Sequence, residues 1–399
     1  MSRKLNDILE IAVNNTSFYS QEVAKYNNII DFYDHFVLNK NDIVNNMYDM
    51  ISKKYSGNLY KSMQVNTTSG TSGVPVKILW HPDDLMRSNL SIWRLRKKFH
   101  NISPTDYCCS LHTVSYLGER THNVEKIIKN NNEISFCKLY QDDNAMHDYY
   151  NIMDKYKPKW LLFQPSFALN FVDFCVRNNL PPITSIEYIE FTGELLTASM
   201  RLQVGTFFNC STANMYGCME TNSIAYECPC GNMHVLEDNV QIELDENKNV
   251  YLTSLYNEAF PLIKYKVGDK IDSISQYSCP CGITGKVIGS IIGRSSKEIN
   301  LKTGGIITEP MIAYCVERAE SVVGIGLKKY HAIFVNDILT IQIISTITDN
   351  NWRGVFINEL KKQFEIINNN VFVDIIFIEN IIATEKELST GKYSILEVK

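Results

Sequence analysis

The sequence predicts an α/β protein with two domains: a large N-terminal domain of β-sheets sandwiched by helices, and a small α+β C-terminal domain. The chain has 399 residues, which exceeds the roughly 250 to 300 residues at which a single core usually stops growing. Apolar runs typical of buried strands alternate with helical periodicity between residues 160 and 208. After residue 293 the pattern changes to a hairpin mixed with helices. We therefore expect domains at residues 1–292 and 293–399.

The individual elements follow from hydrophobic periodicity. Near the N-terminus we expect short amphipathic helices. Their apolar positions are Leu5, Ile8, Leu9 and Ala12 in a first helix and Ile30, Phe32 and Tyr33 in a second. The large domain should then contain strand 160–163, helix 167–177, strand 186–191 and helix 195–208. The small domain should contain helix 311–319, strand 330–335, an Asn336-Asp337 turn, strand 339–345, helix 351–366 and strand 371–378.

Composition and charge narrow the class of function. Hydrophobic residues make up 45% and charged residues 21% of the chain, as in ordinary globular proteins. The net charge of -5 gives no broad attraction to nucleic acid or to anionic membranes, so we expect neither as a partner. No stretch approaches the roughly 18 consecutive apolar residues of a membrane span, and the first residues lack a secretory apolar segment. We expect a cytoplasmic protein acting on a small molecule, with its eleven cysteines reduced.

A run of hydroxyl residues and glycines near residue 70 is the most informative motif. It reads Thr68-Ser69-Gly70-Thr71-Ser72-Gly73, with Lys77 a few residues further on. Glycines let backbone N–H groups turn together toward an anion, and hydroxyls add donors, so the run predicts a phosphate-binding loop. It lacks the Gly-Lys-Ser/Thr ending of a Walker motif. A flexible surface loop has the same composition, so the run needs support from other motifs.

Three further motifs carry groups suited to a nucleotide. Gly193 and Glu194 follow directly on a predicted strand, at the end where α/β sheets bind ligands. The segment 214–220 offers the ring of Tyr216 for stacking on a base and the carboxylate of Glu220 for Mg²⁺. Asp269 follows a glycine and is suited to accept hydrogen bonds from two ribose hydroxyls. A turn aspartate and a solvated glutamate are the plainer alternatives.

The order of these motifs resembles the adenylate-forming superfamily of acyl-CoA synthetases, peptide-synthetase adenylation domains and luciferases. The motifs are Thr-Ser-Gly-Thr-Ser-Gly, Thr-Gly-Glu, Tyr-Gly-Cys-Met-Glu, Tyr-Lys-Val-Gly-Asp, Gly-Arg and a near-terminal Gly-Lys. Within the superfamily the chain is similar to the phenylacetate-CoA ligase-like branch. The segments 16–19, 38–42, 81–85, 164–169 and 227–234 carry that likeness, so the resemblance covers essentially the whole chain.

The resemblance implies roles for individual residues. The loop Thr68, Ser69, Gly70, Thr71, Ser72 and Gly73, with Lys77, would hold the β- and γ-phosphates of ATP. Gly193, Glu194 and Tyr216 would line the adenine, and Gly217 would belong to the same cofactor-binding site. Asp269 and Arg294 would bind the ribose, and Glu220 would take Mg²⁺. Lys392 would reach the α-phosphate and the acyl oxygen, where charge builds up in the transition state. Ser296 would be the hinge that makes the small domain mobile, although the family commonly has an acidic residue or lysine there.

The acid pocket is less well defined by the sequence. The family position of the pocket implies His112, Tyr116, Phe163 and Asn214 as its lining. The rings of Tyr116, Phe163, Phe167 and Tyr216 favour an aryl or similar planar acid, although aromatic residues at these spacings are also typical of a plain core. His112 is expected to be a hydrogen-bonded wall of the pocket rather than a base.

Two Cys-Pro-Cys-Gly sequences predict a structural Zn²⁺ site independently of the resemblance. They contribute Cys228, Cys230, Cys279 and Cys281, and His234 follows the first. Four of these five would close a tetrahedral site, and we favour Cys228, His234, Cys279 and Cys281 because their spacing gives comfortable bite angles. The alternative is a set of buried free thiols in two hairpins. The other cysteines are expected to be small core residues.

The predicted function is an ATP-dependent carboxylic acid ligase. It would adenylate the acid, release pyrophosphate, and pass the acyl group to coenzyme A or to the phosphopantetheine of an acyl carrier protein. Transfer to an amine, giving an amide, stays open as an alternative, as does an inactive nucleotide-binding module on the same scaffold. A zinc-knuckle nucleic-acid binder is disfavoured by the acidic balance. Homodimer formation is left open.

Overall fold

The computed structural model describes residues 3–55, 61–67, 76–113, 124–294, 298–302, 305–324, 327, 329–345, 351–368, 371–379 and 393–398. The chain is mixed α/β, as the sequence predicts, and divides into two compact units. The first unit comprises residues 1–106, 115–121 and 213–290, and the second comprises residues 107–114, 122–212 and 291–399. The predicted domain boundary at residues 292 and 293 stays a prediction.

The helices, in chain order, are α1 (Arg3–Asn15), α2 (Ser17–Val23), α3 (Ile29–His35), α4 (Lys40–Asn46), α5 (Pro82–Ser88), α6 (Leu90–His100), α7 (Asp143–Tyr156), α8 (Pro165–Arg177), α9 (Ala198–Phe208), α10 (Glu309–Val323) and α11 (Asn351–Asn368), with a 3₁₀ turn at Lys53–Tyr55. The strands are β1 (Gln64–Thr67), β2 (Lys77–Trp80), β3 (Cys108–His112), β4 (Ile127–Asn130), β5 (Glu133–Cys137), β6 (Trp160–Phe163), β7 (Tyr188–Thr192), β8 (Ser211–Cys218), β9 (Asn222–Glu227), β10 (Met233–Val235), β11 (Val240–Leu244), β12 (Asn249–Ser254), β13 (Tyr265–Ile271), β14 (Ile274–Ser278), β15 (Thr284–Ile288), β16 (Ile291–Arg294), β17 (Ile299–Asn300), β18 (Ile306–Ile307), β19 (Lys329–Val335), β20 (Ile338–Ile344), β21 (Phe372–Phe377) and β22 (Leu396–Val398).

The first unit is built from short N-terminal helices and antiparallel strands. Its strands pair in the orders β14-β15-β10-β9-β8 and β11-β12-β13, with β1 and β2 as a separate pair. Its core includes the predicted face of α1, namely Leu5, Ile8, Leu9 and Ala12. The second predicted set is correct for Phe32 and Tyr33 but wrong for Ile30, which is 58% exposed. The Asn28 side chain caps α3 by accepting from Ile30 N–H, so Ile30 lies in the first turn of α3.

The second unit contains two hydrophobic cores. In the first, β7, β6, β3 and β5 pair in parallel, β4 adds an antiparallel edge, and α7, α8 and α9 bury apolar side chains against the strands. In the second, strands in the order β21-β20-β19-β22 pack with α10 and α11. The β19–β20 hairpin turns at Asn336 and Asp337, both with left-handed φ (51° and 65°), as the sequence predicts.

Predicted and observed element boundaries differ by a few residues, for identifiable reasons. The helix expected from residue 195 begins at Ala198, because the Thr197 side chain accepts from Met200 N–H and caps α9. The helix expected from residue 167 begins at Pro165, a residue favoured in the first turn because it needs no hydrogen-bond acceptor for its nitrogen. Within the described ranges, no helix has the length and apolar character needed to cross a membrane.

A buried carboxylate on α10 makes the stability of the second unit pH-dependent. Burial raises the pKa of Glu320 to about 7, although the carboxylate accepts a hydrogen bond from Leu327 N–H. Because the folded state holds this proton more tightly than the unfolded chain does, stability is highest below the ordinary pKa of 4.5 and falls as the pH rises toward 7.

We therefore expect Glu320→Gln to stabilise the protein more at about pH 8 than at about pH 5, by up to about 3 kcal/mol in unfolding free energy. The midpoint of thermal unfolding, measured at both pH values, tests this. Glu365→Gln, at an exposed position of α11, is the matched control and should leave the pH dependence unchanged. Identical pH profiles for Glu320→Gln and the unsubstituted chain would contradict the assignment.

Candidate functional site

The two strands that flank the predicted phosphate loop are paired. β1 and β2 run antiparallel, with Thr67 opposite Lys77, so the two ends of the loop lie next to each other. Lys77 is exposed at the start of β2. The loop residues themselves, from Thr68 to Gly73, lie outside the described residues. Their role in holding phosphate stays a prediction.

Two of the predicted nucleotide motifs meet in the first unit. The Tyr216 hydroxyl on β8 donates a hydrogen bond to Asp269 Oδ2 on β13, at 2.8 Å between buried side chains. These residues are 53 positions apart in the chain. The pair brings together the residue predicted to line the adenine and the residue predicted to bind the ribose.

A bulge in β13 determines where Asp269 lies. Asn249 and Tyr251 of β12 pair with Lys270 and Lys266, so two residue steps on β12 correspond to four on β13. Gly268, at the centre of the extra residues, has φ +88°, a conformation that favours glycine. Asp269, directly after it, is only 8% exposed. The backbone therefore favours glycine at position 268, and the predicted chemistry calls for the aspartate that follows it.

A second hydrogen bond joins the same two segments. The Tyr265 hydroxyl, at the start of β13, donates to Glu220 Oε1 at 3.1 Å. Glu220 is half-buried in the turn between β8 and β9. This bond fixes one carboxylate oxygen of Glu220, and a single carboxylate oxygen is enough for a contact to Mg²⁺.

The backbone around Tyr216 also depends on its neighbours. The pairing of β8 with β9 shifts register between Tyr216 and Gly217. A Cβ on Gly217 would lie 2.9 Å from Asn222 O, so only glycine fits this close approach of the two strands. Asn214, half-buried on β8, donates from its backbone N–H to Glu227 Oε2 at 2.7 Å. The hairpin is thus held by a backbone close approach and by a side chain of β9.

In the second unit, the carboxylate of Glu194 bridges two distant backbone groups. It accepts from Ser166 N–H at 3.1 Å and from Tyr393 N–H at 2.9 Å. Burial raises the pKa of Glu194, against the effect of these hydrogen bonds. Gly193 before it is exposed with φ +81°. The predicted role of these two residues beside adenine stays a prediction, since the carboxylate is engaged with backbone groups.

Two residues predicted for the acid pocket lie in the same unit. The ring of His112 is half-buried and hydrogen-bonded at both nitrogens, because Nε2 donates to Glu125 O at 2.7 Å and Nδ1 faces Ser135 Oγ at 3.1 Å. Burial lowers the pKa of His112, which favours the neutral ring. Phe163 is 1% exposed and makes an edge contact with Phe167 in the core.

Several predicted site residues cannot be placed by contacts. Tyr116, Ser296 and Lys392 lie outside the described residues. Arg294 ends β16, but its side chain lies outside the described part. Their assigned roles stay predictions.

The structure brings together the four favoured zinc ligands in the first unit. Cys228 follows β9, His234 lies in β10, and Cys279 and Cys281 lie in the turn between β14 and β15. Their ligand atoms all lie within 4.8 Å of one another. Cys230 is exposed and is not one of these four, although its side chain interacts with those of Cys228 and Cys279. Burial opposes ionisation of Cys279, but hydrogen bonds from Cys281, His234 and other neighbours lower the pKa of its thiol.

The other seven cysteines are buried or half-buried, as expected of small core residues. Cys108, Cys109, Cys137, Cys175 and Cys315 are buried, and Cys210 and Cys218 are half-buried. Burial raises the pKa of Cys175, Cys210 and Cys315 to about 12. At neutral pH these three thiols are protonated and therefore weak nucleophiles.

Comparison with solved structures identifies the fold. A 2-hydroxyisobutyryl-CoA ligase, in the postadenylation state with an R3-HIB-AMP ligand, matches with a TM-score of 0.77 and 16% identity over 99% of this chain and 88% of that chain. The chain has the fold of the adenylate-forming CoA ligases. The anthranilate CoA ligase AuaEII, in complex with anthranoyl-AMP, shows the CoA-ligase fold with a TM-score of 0.54 and 14% identity over 82% of this chain and 65% of that chain.

Sequence comparison adds one curated relative. Protein CapK of Staphylococcus aureus is 24% identical over 242 residues, which are 59% of this chain and 52% of CapK. The match therefore spans about half the length of that relative. No protein-family model matches the chain.

Sequence reasoning missed the residues that hold the predicted site residues in place. Each of them forms a hydrogen bond with a predicted site residue. Tyr265 binds Glu220, Ser166 and Tyr393 bind Glu194, and Ser135 binds His112. Tyr265 and Ser166 lie inside motifs that the resemblance had already marked. Their pairing with residues 45 and 28 positions away requires the fold, because no local spacing connects them.

Proposed function

We propose that the chain is an ATP-dependent ligase that adenylates a carboxylic acid, releases pyrophosphate and transfers the acyl group to a thiol. The observation that carries the proposal is the double link between β13 and the β8–β9 hairpin. Asp269 pairs with Tyr216, and Tyr265 pairs with Glu220. The carboxylate proposed for the ribose, the ring proposed for adenine and the carboxylate proposed for Mg²⁺ therefore belong to one unit. The CoA-ligase fold supports the same conclusion.

The chemistry explains why these groups are needed. A carboxylate resists substitution because oxide is a poor leaving group, and joining it to AMP supplies a good one. Asp269 would accept hydrogen bonds from the ribose hydroxyls, and the donated bond from Tyr216 would fix the orientation of its carboxylate. Glu220 would hold Mg²⁺, which neutralises phosphate charge when bound. The 68–73 loop, between the paired ends of β1 and β2, would bind the departing pyrophosphate.

We assign the reactive lysine to Lys392. It directly precedes Tyr393, whose backbone N–H is bound by Glu194. Glu194 therefore ties the segment after the lysine to the end of β7, which also carries Gly193. Tyr393 also packs against the core formed by α10, α11 and β19–β22. These contacts would restrict the positions from which Lys392 approaches the α-phosphate.

The acid and the acceptor are the finer part of the proposal. The aromatic residues implied for the pocket favour an aryl or similar acid, with coenzyme A or a carrier-protein thiol as acceptor. The structural relatives act, by their names, on 2-hydroxyisobutyrate and on anthranilate. A test panel should therefore contain both small hydroxy acids and aryl acids.

Pyrophosphate release with this panel, in the presence and absence of coenzyme A, tests the proposal. We expect at least one acid to stimulate release and coenzyme A to yield the acyl thioester. If the adenylate forms but no thioester is made with coenzyme A, the acceptor is a carrier protein or an amine. Binding of ATP with no pyrophosphate release for any acid would contradict the ligase and favour an inactive nucleotide-binding module.

A further inference from the structure

We propose that Cys228, His234, Cys279 and Cys281 bind one structural Zn²⁺ that joins two neighbouring hairpins of the first unit. The proposal is independent of the ligase function, because none of the four residues belongs to the nucleotide motifs. The atoms available as ligands are three sulfurs and one imidazole nitrogen within 4.8 Å of one another. Three thiolates and one histidine form a common donor set for structural zinc.

Two of the six distances between these atoms agree with tetrahedral coordination. Zinc–sulfur and zinc–nitrogen bonds of about 2.3 and 2.0 Å place neighbouring ligand atoms about 3.5 to 3.8 Å apart in a tetrahedron. Cys228 Sγ and Cys279 Sγ are 3.8 Å apart, and Cys281 Sγ is 3.4 Å from His234 Nε2. A disulfide between Cys228 and Cys279 would require about 2.05 Å between the sulfurs. The spacing therefore fits a shared ion better than a covalent bond.

The surroundings of the cluster also suit a bound dication. The Nδ1 atom of His234 is buried without a hydrogen-bond partner in the described part of the chain, so the polar contact of the buried ring is the one that Nε2 makes with Cys281 Sγ. Asn232 Nδ2 donates to Cys279 Sγ at 3.3 Å, a contact typical of a metal-bound thiolate. Lys98 Nζ would lie 3.6 Å from a Cβ atom built on Gly282, next to Cys281 in the chain. A cation beside this turn would offset part of the negative charge left by three thiolates and one Zn²⁺.

Both halves of the cluster are tight turns. Cys228 N–H donates to Asn232 O, and Gly231 N–H donates to Cys228 O. The second half repeats the arrangement, since Cys279 N–H donates to Ile283 O and Gly282 N–H donates to Cys279 O. In each turn the first cysteine supplies a ligand. Cys281 is half-buried and belongs to the group of four, whereas Cys230 is exposed and only borders the group through Cys228 and Cys279.

The strand pairing explains what the ion contributes. β10 pairs with β15 at only two positions, Met233 with Ile288 and His234 with Val287. Ligands from the β9–β10 segment and from the β14–β15 turn would add a link where the backbone ladder is short. In this arrangement protein ligands fill all four coordination positions of the zinc, so no position is open for a catalytic water or a substrate. The ion would hold the β14–β15 hairpin in place.

Zinc content of the full-length protein, purified without chelator, is the first test. We expect one zinc per chain, released by a mercurial thiol reagent and detected with a colorimetric chelator. Replacement by Co²⁺ should give the visible absorption of tetrahedral cobalt bound by thiolates. Less than about one tenth of a zinc per chain, with no cobalt spectrum after reconstitution, would overturn the proposal.

The matched pair Cys281→Ser and Cys230→Ser tests the ligand set. We expect Cys281→Ser to weaken zinc binding by at least about 100-fold, and Cys230→Ser to bind zinc as the unsubstituted chain does. Equal loss in both variants, or full retention in Cys281→Ser, contradicts this ligand set. A Cys228–Cys279 disulfide found by mass spectrometry of the unreduced protein would also contradict the proposal, because the two sulfurs would then be joined by a covalent bond and not by zinc. If Cys281→Ser does not fold, the cobalt spectrum of the unsubstituted chain still decides the question.

Discussion

Replacing Lys392 with alanine is expected to lower the rate of pyrophosphate release by about 100- to 1,000-fold, with little change in ATP binding. The physical reason is that the ammonium group would meet negative charge that develops on the α-phosphate and the acyl oxygen as the acid attacks. When an interaction that is made mainly in the transition state is lost, kcat falls and KM changes little. Pyrophosphate release under saturating ATP, with the best acid from the panel, is the measurement.

Lys386→Ala provides the matched control for this experiment. Lys386 is another lysine of the same C-terminal stretch, six positions before Lys392, and no role is assigned to it. We expect it to leave the rate unchanged. Supplying synthetic acyl-adenylate separates the two half-reactions, and Lys392→Ala should retain thioester formation from it. Unchanged pyrophosphate release in Lys392→Ala would exclude the assigned role.

Replacing Asp269 with asparagine is expected to reduce kcat/KM for ATP by about 100-fold. The carboxylate would accept hydrogen bonds from two ribose hydroxyls, and losing charge-assisted bonds of this kind costs about 2 to 3 kcal/mol. Tyr216→Phe removes the hydroxyl that donates to Asp269 at 2.8 Å. Because that hydroxyl only orients the carboxylate, we expect a smaller loss of about 10-fold. The double variant should lose less than the sum of the two effects.

A comparison of ATP with 2′-deoxy-ATP tests specifically whether Asp269 contacts the ribose. The unsubstituted protein should strongly prefer ATP to 2′-deoxy-ATP, and Asp269→Asn should lose most of that preference. Asp272→Asn, at an exposed position three residues further along, should keep both the rate and the preference. If Asp269→Asn discriminates between the two nucleotides as well as the unsubstituted protein does, Asp269 does not contact the ribose.

The sequence was informative where local pattern and chemistry coincide. The face of α1 and the turn at Asn336-Asp337 were predicted because periodicity and turn preference are local properties. The favoured metal-binding set was chosen by the spacing within two short segments. The structure brings the same four side chains together and leaves Cys230 exposed.

What the sequence could not provide were contacts between distant segments. Glu194 was interpreted only as a neighbour of adenine, whereas its carboxylate binds the backbone of Tyr393, 199 residues away. Ile30 was assigned to the apolar face of α3 because periodicity does not show where Asn28 begins the helix. Phe163 is predicted to line the acid pocket, and the structure buries it in the core. The spacing of aromatic residues in the sequence does not distinguish a pocket residue from a core residue.

The bulge in β13 makes the proposed ribose contact depend on the length of the chain as well as on its composition. Tyr265, Asp269 and Ile271 are all buried, and their positions in the chain differ by even numbers. Deleting or inserting one residue between Lys266 and Lys270 would turn Asp269 to the opposite face of the strand while leaving every side chain chemically intact. Relatives of this chain should therefore keep Gly268, Asp269 and the number of residues between Lys266 and Lys270, and should vary more freely at Val267. The length of this short segment is thus a marker that can be used together with the Gly-Asp pair.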